Sequence, residues 1–307
     1  MNQDIVQQIR EACEWVAAGA QQVRIDRDAI APYAAALPKK AAASGERAAL
    51  SEAERERLAA HWLTLDAINF GSGWFPTLRK RDGRSGYHTI ALGISEQFER
   101  SGAWSAQELA AIGATEIAAA LHQDREHELM ELFACSLRDL GAHLIDQHHG
   151  RFGGLLAQAN GSAVELVQLL AGWDCFGDTS TYRGRIVPFL KRAQIAAADL
   201  HRAGAARFGD IGRLTMFADN LVPHVLRLDG VLEFTPELLA SIEQEELIAH
   251  GAPPEVEIRA CAVHAVELLV QTRPDLRAAD VDEVLWERGG EPRYKASPRH
   301  RSRCTAY

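Results

Sequence analysis

The sequence predicts an all-α fold with at most a few short extended segments. Apolar residues recur at three- and four-residue spacing along most of the chain, and the two-residue alternation of half-buried strands is scarce. The segment GVLEF, Gly230–Phe234, is the best extended candidate. The 307 residues, 47% of them hydrophobic, suffice for one large core or two modest ones. We expect one compact domain over 1–307, with a helical part of about 1–150 packed on a second part of about 151–307.

Ten helices are predicted from the periodicity of the apolar residues. They cover about 3–20, 51–69, 105–121, 126–148, 162–171, 186–203, 219–228, 236–249, 255–272 and 280–288. Ser51 and Glu54 form a plausible capping box at the start of the second helix. The alanine-rich, charged stretch Lys39–Ala60 is also expected to be mostly helical, because Ala, Glu and Arg are good helix formers.

Proline and glycine mark the ends of several later helices. Pro188 suits the first turn of the helix predicted over 186–203, and Pro253 opens the helix over 255–272 in the same way. Asp280 marks the start of the last helix, which Gly289-Gly290 ends.

The overall charge argues against a protein whose main function is to bind a polyanion. The formal net charge is −9, whereas a nucleic-acid-binding protein presents a basic face. Basic residues cluster only in the C-terminal segment EPRYKASPRHRSRCTAY. By itself, that pattern is typical of a solvated, frayed end.

Cysteine usage and the N-terminus indicate an intracellular protein. The five cysteines are far apart and include no CxxC pair, which argues against a disulfide framework or a zinc ribbon and favours a reducing compartment. The N-terminal stretch MNQDIVQQIREACEW lacks the apolar centre of a signal peptide, and no window approaches the length of a membrane span. We expect a cytoplasmic protein with no membrane contact and no obligate protein partner.

Two loops combine glycines with aromatic rings. They are NFGSGWFP, Asn69–Pro76, and GWDCFGDTSTYRG, Gly172–Gly184. Aromatic rings on such backbone form stacking walls for planar ligands in some proteins and plug the core in others. The sequence leaves both alternatives open.

The histidines lack the spacing of a metal site. His122 and His127 are five residues apart and His148-His149 are adjacent, whereas a helical zinc pair is spaced by one turn. The chain also has no phosphate-binding P-loop, GxGxxG or GxSxG motif. We expect no metal and no cofactor.

Asp219 lies in an apolar run, LTMFADNLVPHVLRL, at the start of a predicted helix. Such an Asp is either an N-cap or a group that performs chemistry. Lys191 shares a helical stripe with the apolar Ile195 and Ala198, an unusual place for a solvated lysine. A buried carboxylate near a buried lysine is typical of active sites. Both alternatives remain open at this point.

Several long motifs resemble the queuosine 5′-phosphate N-glycosylase/hydrolase family of queuosine-salvage proteins. They are LDAINF, SGY, FLKRAQIAAADL, LTMFADNLVPHVLR, PPEVEIRACAVHAVELL, VDEVLW and PRHRSRCTAY. The resemblance runs from about Leu65 to Tyr307 and departs at Gly71–Phe75, where the family pattern is closer to FSFW. It implies hydrolysis of queuosine 5′-monophosphate to queuine and ribose 5-phosphate. It also implies a helical fold similar to helix-hairpin-helix DNA glycosylases, with 151–307 as the glycosylase-like part.

The resemblance also implies roles for individual residues. Asp219 becomes the catalytic carboxylate and Lys191 its partner. The base is expected to stack on Phe217, Phe70 or Trp74, and Asn69 is expected to contact its edge. The base also carries a cationic aminomethyl arm with a cyclopentenediol, for which Asp282, Trp286 and Glu287 are the candidate contacts. The 5′-phosphate requires cationic donors. Expected phosphate ligands are His300, Arg301 and Arg303, a role that replaces the frayed-end interpretation of the C-terminal segment.

Two rival functions remain. One is a glycosylase that acts on bases in DNA or RNA, which a net charge of −9 disfavours because phosphate contacts along a duplex need cations. The other is a helical binding protein that holds a modified nucleotide without turnover.

Overall fold

Helices dominate the computed structural model, which describes residues 4–38 and 50–307. The described residues form α1 Ile5–Gly19, α2 Arg27–Ala36, α3 Glu52–Ala67, α4 Gly86–Ser101, α5 Ala106–Ala111, α6 Ala114–Leu121, α7 Glu128–His148, α8 Phe152–Gln158, α9 Ala163–Leu170, α10 Lys191–Ala203, α11 Leu221–Leu228, α12 Pro236–Glu243, α13 Pro253–Thr272, α14 Ala278–Arg288 and α15 Pro292–Lys295. The prediction of an all-α fold with a few short extended segments is confirmed. None of the helices in the described ranges is long and apolar enough to cross a membrane.

The extended segments form two antiparallel pairs of strands. They are β1 Val23–Ile25 with β4 Leu232–Phe234, and β2 Thr179–Tyr182 with β3 Arg185–Pro188. Strand β4 confirms the extended prediction for Gly230–Phe234. The β2–β3 hairpin was not predicted.

The helix predicted over 186–203 starts later than expected. Pro188 ends β3 opposite Thr179 and is not in a helical first turn, so that prediction is wrong. The backbone then turns sharply: Phe189 and Leu190 donate their N–H groups to the Asp178 carbonyl at 2.9 and 3.2 Å, and Leu190 has a φ of 51°. The turn makes Lys191 the first residue of α10.

Other boundaries were predicted with mixed success. The helix predicted over 105–121 is interrupted at Ile112–Gly113, and the one over 236–249 ends at Glu243. The capping box of Ser51 and Glu54 is confirmed, whereas the part of the Lys39–Ala60 stretch before residue 50 lies outside the described residues. Helices α2, α4, α8 and α15 were not predicted.

One apolar core extends through both parts of the chain. The buried cluster includes Val6 on α1, Leu63 on α3, Leu137 on α7 and Leu285 on α14. Helix α13 is buried on almost its whole circumference and packs against α1, α2, α11 and α14. Helix α3 packs against α10, which brings the ends of these two helices together at the candidate site. The division into one domain with two parts stays a prediction.

Candidate active site

The segment Leu214–Asn220 leads to the start of α11 and is almost wholly buried. Gln194 on α10 forms two hydrogen bonds to Thr215 in this segment. Its Oε1 accepts the Thr215 backbone N–H at 2.9 Å, and its Nε2 donates to Thr215 Oγ1 at 2.9 Å. The segment that carries Asp219 is therefore tied to the helix that carries Lys191.

Asp219 is half-buried at the start of α11. Its Oδ1 accepts the backbone N–H groups of Leu221 at 2.8 Å and Val222 at 3.0 Å. The side chain therefore caps the helix, as one of the two sequence alternatives predicted. Oδ2 accepts no hydrogen bond from any residue that the structure describes, so one oxygen is left for another partner.

Lys191 is buried beside Asn69, which follows the end of α3. Its Nζ donates to the Asn69 backbone oxygen at 2.7 Å and to Asn69 Oδ1 at 3.1 Å. Burial lowers the pKa of Lys191 to about 8, while the charges of Asp219, Asp66 and Asp178 act to raise it. Lys191 is thus a buried cation on which several carboxylates act, among them the predicted Asp219, and the structure brings it together with the predicted Asn69.

A buried ion pair fixes the distance between α10 and the Asp219 segment. Asp178 Oδ2 accepts the Lys191 backbone N–H at 3.0 Å and Arg259 Nη2 at 2.6 Å. Arg259 Nε donates to the Ala218 carbonyl at 2.8 Å. Both charged side chains are fully excluded from solvent. Removing one partner of such a pair leaves an uncompensated buried charge, so this pair is expected to hold the site rigid.

Asp282 on α14 supports the same segment from another side. Its Oδ1 accepts the Phe217 backbone N–H at 2.9 Å, two residues before Asp219. Burial raises the pKa of Asp282 well above its usual range, and the charge of Asp219 raises it further. The structure therefore places the predicted Asp282 and Phe217 next to each other and next to Asp219.

The aromatic rings of the first Gly-rich loop are packed in the interior. Phe70 contacts Phe133 edge to face at 4.9 Å between ring centroids, and the Arg192 guanidinium lies 5.0 Å from the Phe70 ring centre. Trp74 Nε1 donates to Glu128 Oε2 at 2.6 Å. The rings of Phe70 and Trp74 therefore fill the core, which is one of the two alternatives that the sequence left open. The stacking of substrate on Phe70 or Trp74 stays a prediction.

The C-terminal segment docks between this loop and α11. A Cβ atom on Gly73 would lie 2.4 Å from the Ser302 carbonyl oxygen, so only glycine permits the approach. Asn220 Nδ2 donates to the His300 carbonyl at 3.1 Å. Tyr307 is buried. The segment is thus part of the folded structure, and the alternative of a frayed end is wrong.

The three predicted phosphate ligands differ in their surroundings. His300 is buried, and burial lowers its pKa to about 3, so it is neutral near neutral pH. Arg301 pairs with Glu245 at 3.1 Å, and Arg303 lies 3.8 Å from Glu128. Their role in phosphate binding stays a prediction.

Arg299 was not predicted as a site residue. It is half-buried and forms no ion pair or hydrogen bond in the part of the chain that the structure describes. Burial lowers its pKa, while the charge of Asp219 acts in the opposite direction. Arg299 is therefore a cation without an ion-pair partner among the described residues, and the charge of Asp219 acts on it. The basic composition of the C-terminal segment signalled it, but which of the basic side chains faces Asp219 depends on how the segment docks.

The predicted Trp286 and Glu287 on α14 lie in different environments. Trp286 contacts Tyr87 edge to face at 5.7 Å between ring centroids. Burial raises the pKa of Tyr87, and the charges of Asp66 and Asp199 raise it further. Glu287 is exposed to solvent.

Comparisons with known proteins match this arrangement to one family. The profile of the queuosine salvage protein family matches residues 50–307. A protein of Sphaerobacter thermophilus named queuosine 5′-phosphate N-glycosylase/hydrolase is 35% identical over 303 residues, 94% of each chain. A Bos taurus protein of the same name is 28% identical over 335 residues, 97% of this chain and 98% of its own. One of Schizosaccharomyces pombe is 39% identical over 158 residues, 49% of this chain and 46% of its own.

The chain belongs to the queuosine salvage protein family. The resemblance predicted from the motifs is confirmed, and the profile begins at residue 50, before the predicted Leu65. The match therefore includes all of α3, the α10 helix, the Asp219 segment, α14 and the C-terminal segment, from which the site is built.

Two further features of this queuosine salvage family member bear on the site. Asp66 on α3 is fully buried, and neither carboxylate oxygen has a hydrogen-bond partner of normal geometry among the described residues. Sequence analysis missed it, although LDAINF places an Asp in an apolar helical pattern just as the later motif does with Asp219. Within 4–38 and 50–307, no group of three or more His, Cys, Asp or Glu side chains could hold a metal ion.

Proposed function

We propose that the protein hydrolyses the N-glycosidic bond of queuosine 5′-monophosphate and releases queuine and ribose 5-phosphate. Membership of the family supports the substrate, because relatives that match nearly the whole chain are named for this activity. The observation that carries the mechanism is the Asp219 carboxylate. One of its oxygens is fixed by two backbone N–H groups, and the other has no hydrogen-bond partner among the described residues.

Asp219 stabilises the positive charge that develops on the sugar. As the bond between the anomeric carbon and the base nitrogen breaks, the ribose gains oxocarbenium character. A carboxylate that is already held in place stabilises this cation without reorganisation in the transition state. Water then adds to the anomeric carbon, and the proton that it loses ends on the base nitrogen. Asp219 Oδ2 accepts that proton from the water on its way to the leaving base.

The leaving base limits what acid catalysis can contribute. The base of queuosine is a 7-deazapurine and lacks the ring nitrogen that purine glycosidases usually protonate. Hydrogen bonds to the other heteroatoms must stabilise it instead. Lys191 donates to both oxygens of Asn69, and the Asn69 side chain also acts on Asp66 as a hydrogen-bond donor. The Asn69 amide N–H₂ group has two N–H donors, so one N–H remains to donate to an acceptor on the base edge. Phe217, Phe70 and Trp74 are the proposed stacking residues.

The 5′-phosphate is bound by cations of the C-terminal segment. We assign Arg299 the main contact because the charge of Asp219 acts on it and it forms no ion pair in the described chain. Arg301 and Arg303, each near a glutamate, and the neutral His300 are secondary candidates. A phosphate takes charge-assisted hydrogen bonds most effectively from such groups.

The remaining features fit a reaction on a mononucleotide in the cytoplasm. A net charge of −9 suits a small substrate better than a duplex. The dispersed cysteines favour a reducing compartment.

Incubation with queuosine 5′-monophosphate, followed by mass analysis, tests the proposal. Free queuine and ribose 5-phosphate are expected in equal amounts. Guanosine 5′-monophosphate and a DNA duplex serve as matched controls for base identity and for polymer substrates. Binding of queuosine 5′-monophosphate without queuine release would contradict the proposal and favour a binding protein. Faster base release from the duplex would favour a nucleic-acid glycosylase.

A further inference from the structure

Arg259 on α13 holds the backbone immediately before Asp219. Its Nε donates to the Ala218 carbonyl at 2.8 Å, and its Nη2 pairs with Asp178 Oδ2 at 2.6 Å. None of the Arg259 side chain is exposed to solvent. Because the donors of a guanidinium lie in one plane in a fixed fork, the Ala218 carbonyl keeps its position only while that plane keeps its orientation.

Two aromatic rings lie against this guanidinium. Its central carbon is 4.0 Å from the centre of the Phe189 ring and 4.5 Å from the centre of the Tyr307 ring. Both aromatic side chains are buried. Cation–π contacts are strongest where water is excluded, so the two rings restrict how the guanidinium can tilt.

The backbone of the C-terminal segment, which carries Tyr307, is anchored independently of the ring. The Gly71 N–H donates to the Tyr307 backbone oxygen at 3.0 Å, and the Ile248 N–H donates to the Arg301 carbonyl at 2.9 Å. Neither hydrogen bond involves the Tyr307 side chain. A substitution at this position therefore removes the ring from Arg259 and leaves these anchors of the segment in place.

The face of the Tyr307 ring, rather than its hydroxyl, is the part that acts on Arg259. The buried Oη forms no hydrogen bond of normal geometry with the described residues and makes only a weak contact with the Glu255 side chain. Phe189, which has no hydroxyl, lies against the same guanidinium. Phenylalanine should therefore replace Tyr307 without loss of the contact.

We propose that Tyr307 is a positioning residue for the reaction, whose ring fixes the Arg259 guanidinium and, through the Ala218 carbonyl, the Asp219 carboxylate. The inference rests on the proposed function for the reaction that is measured. A displacement of about 1 Å in a reacting group can cost on the order of 10²-fold in rate. Loss of the ring should therefore lower kcat. KM should change little, because the ring contacts Arg259 and not the substrate.

Tyr307→Leu and Tyr307→Phe test the assignment in the full chain. Leucine has no ring face, so kcat for queuosine 5′-monophosphate should fall by roughly 10- to 100-fold while KM stays within about threefold. Phenylalanine keeps the ring, so kcat should stay within about twofold of wild type. Phe152→Leu is the matched control, because it removes a buried ring from α8, and it should retain normal kcat.

Hydrogen–deuterium exchange supplies a readout that needs no turnover. In Tyr307→Leu, the amides of residues 214–222 should exchange at least about tenfold faster than in wild type, because the segment opens more easily. Tyr307→Phe and Phe152→Leu should match the wild-type exchange rates in this segment.

A folded Tyr307→Leu protein with normal kcat overturns the assignment, and so does one with unchanged exchange in residues 214–222. A large loss of kcat in Tyr307→Phe also overturns it, whether or not Tyr307→Leu folds. Absence of queuine release by the wild type, together with faster exchange in Tyr307→Leu, would refute the proposed function and leave the positioning of the Asp219 segment by Tyr307 standing.

Discussion

At the residue scale, the proposed mechanism gives Asp219 both of the roles that the sequence presented as alternatives. The carboxylate caps α11 through Oδ1, and the same two N–H groups hold it in a fixed orientation. Because a helix N-terminus carries partial positive charge, it favours an anion there. In the proposed mechanism, the cap allows this half-buried carboxylate to present its second oxygen to the developing cation.

Lys191 is predicted to make the activity fall at alkaline pH. Burial lowers its pKa to about 8, so the side chain is a cation at pH 7 and loses its proton as the pH rises through 8. If the cation balances Asp219 and fixes Asn69, kcat should fall by about tenfold per pH unit above that value. A pH profile of kcat with saturating queuosine 5′-monophosphate measures this.

Lys191→Met is the comparison for that profile. Its activity should be low and independent of pH between about 7 and 10, since the titrating group is gone. A wild-type kcat that stays constant up to pH 10 would show that the charge of Lys191 is not needed.

At the element scale, the helices were largely predictable and the loops were not. The long amphipathic helices, such as α1 and α7, follow from the spacing of their apolar residues. The β2–β3 hairpin was not predicted because its strands have only four residues each and because Pro188, at the end of β3, also suits a helix start. Short segments owe their conformation to tertiary contacts, which a local pattern does not contain.

The candidate site was predictable where one motif carries the chemistry. Asp219 and Lys191 were singled out as polar residues in apolar patterns, and the structure places Lys191 beside Asn69. Asp66 and Arg299 were missed, because their significance comes from what surrounds them after α3, α10 and the C-terminal segment have packed. Burial without a partner is a tertiary property. The predicted likeness to helix-hairpin-helix DNA glycosylases stays a prediction.

The C-terminal segment is predicted to confer preference for the phosphorylated substrate. Arg299→Ala should raise KM for queuosine 5′-monophosphate by roughly 10- to 100-fold, because it loses charge-assisted hydrogen bonds. KM for free queuosine should change by less than about threefold. Steady-state kinetics with both substrates measures the difference.

Arg301→Ala and Arg303→Ala are the matched comparisons for Arg299→Ala. Each removes an arginine that already lies near a glutamate, so smaller effects are expected. A larger effect of either variant would move the phosphate site to that residue. Equal effects of Arg299→Ala on both substrates would remove Arg299 from the phosphate site.

At the scale of the whole molecule, we propose that the two parts of the chain form one domain. The buried apolar cluster joins residues on α1, α3 and α7 to residues on α13 and α14, and α1 packs directly on α13. Unfolding should therefore show one cooperative transition in which circular dichroism and tryptophan fluorescence change together. Two separated transitions would show that about 1–150 and 151–307 are independent domains.

The central claim is that Asp219 stabilises the transition state of glycosidic bond cleavage, and Asp219→Asn tests it most directly. The change keeps the shape and the capping ability of the side chain and removes its charge. Queuine release from queuosine 5′-monophosphate should slow by at least ~10²-fold in kcat, with substrate affinity and Tm near wild type. The matched control is Asp26→Asn, since Asp26 Oδ1 caps α2 by accepting the Asp28 N–H at 3.0 Å, and it should retain normal kcat. A folded Asp219→Asn protein with nearly normal kcat would contradict the account and make Asp199 the next residue to test.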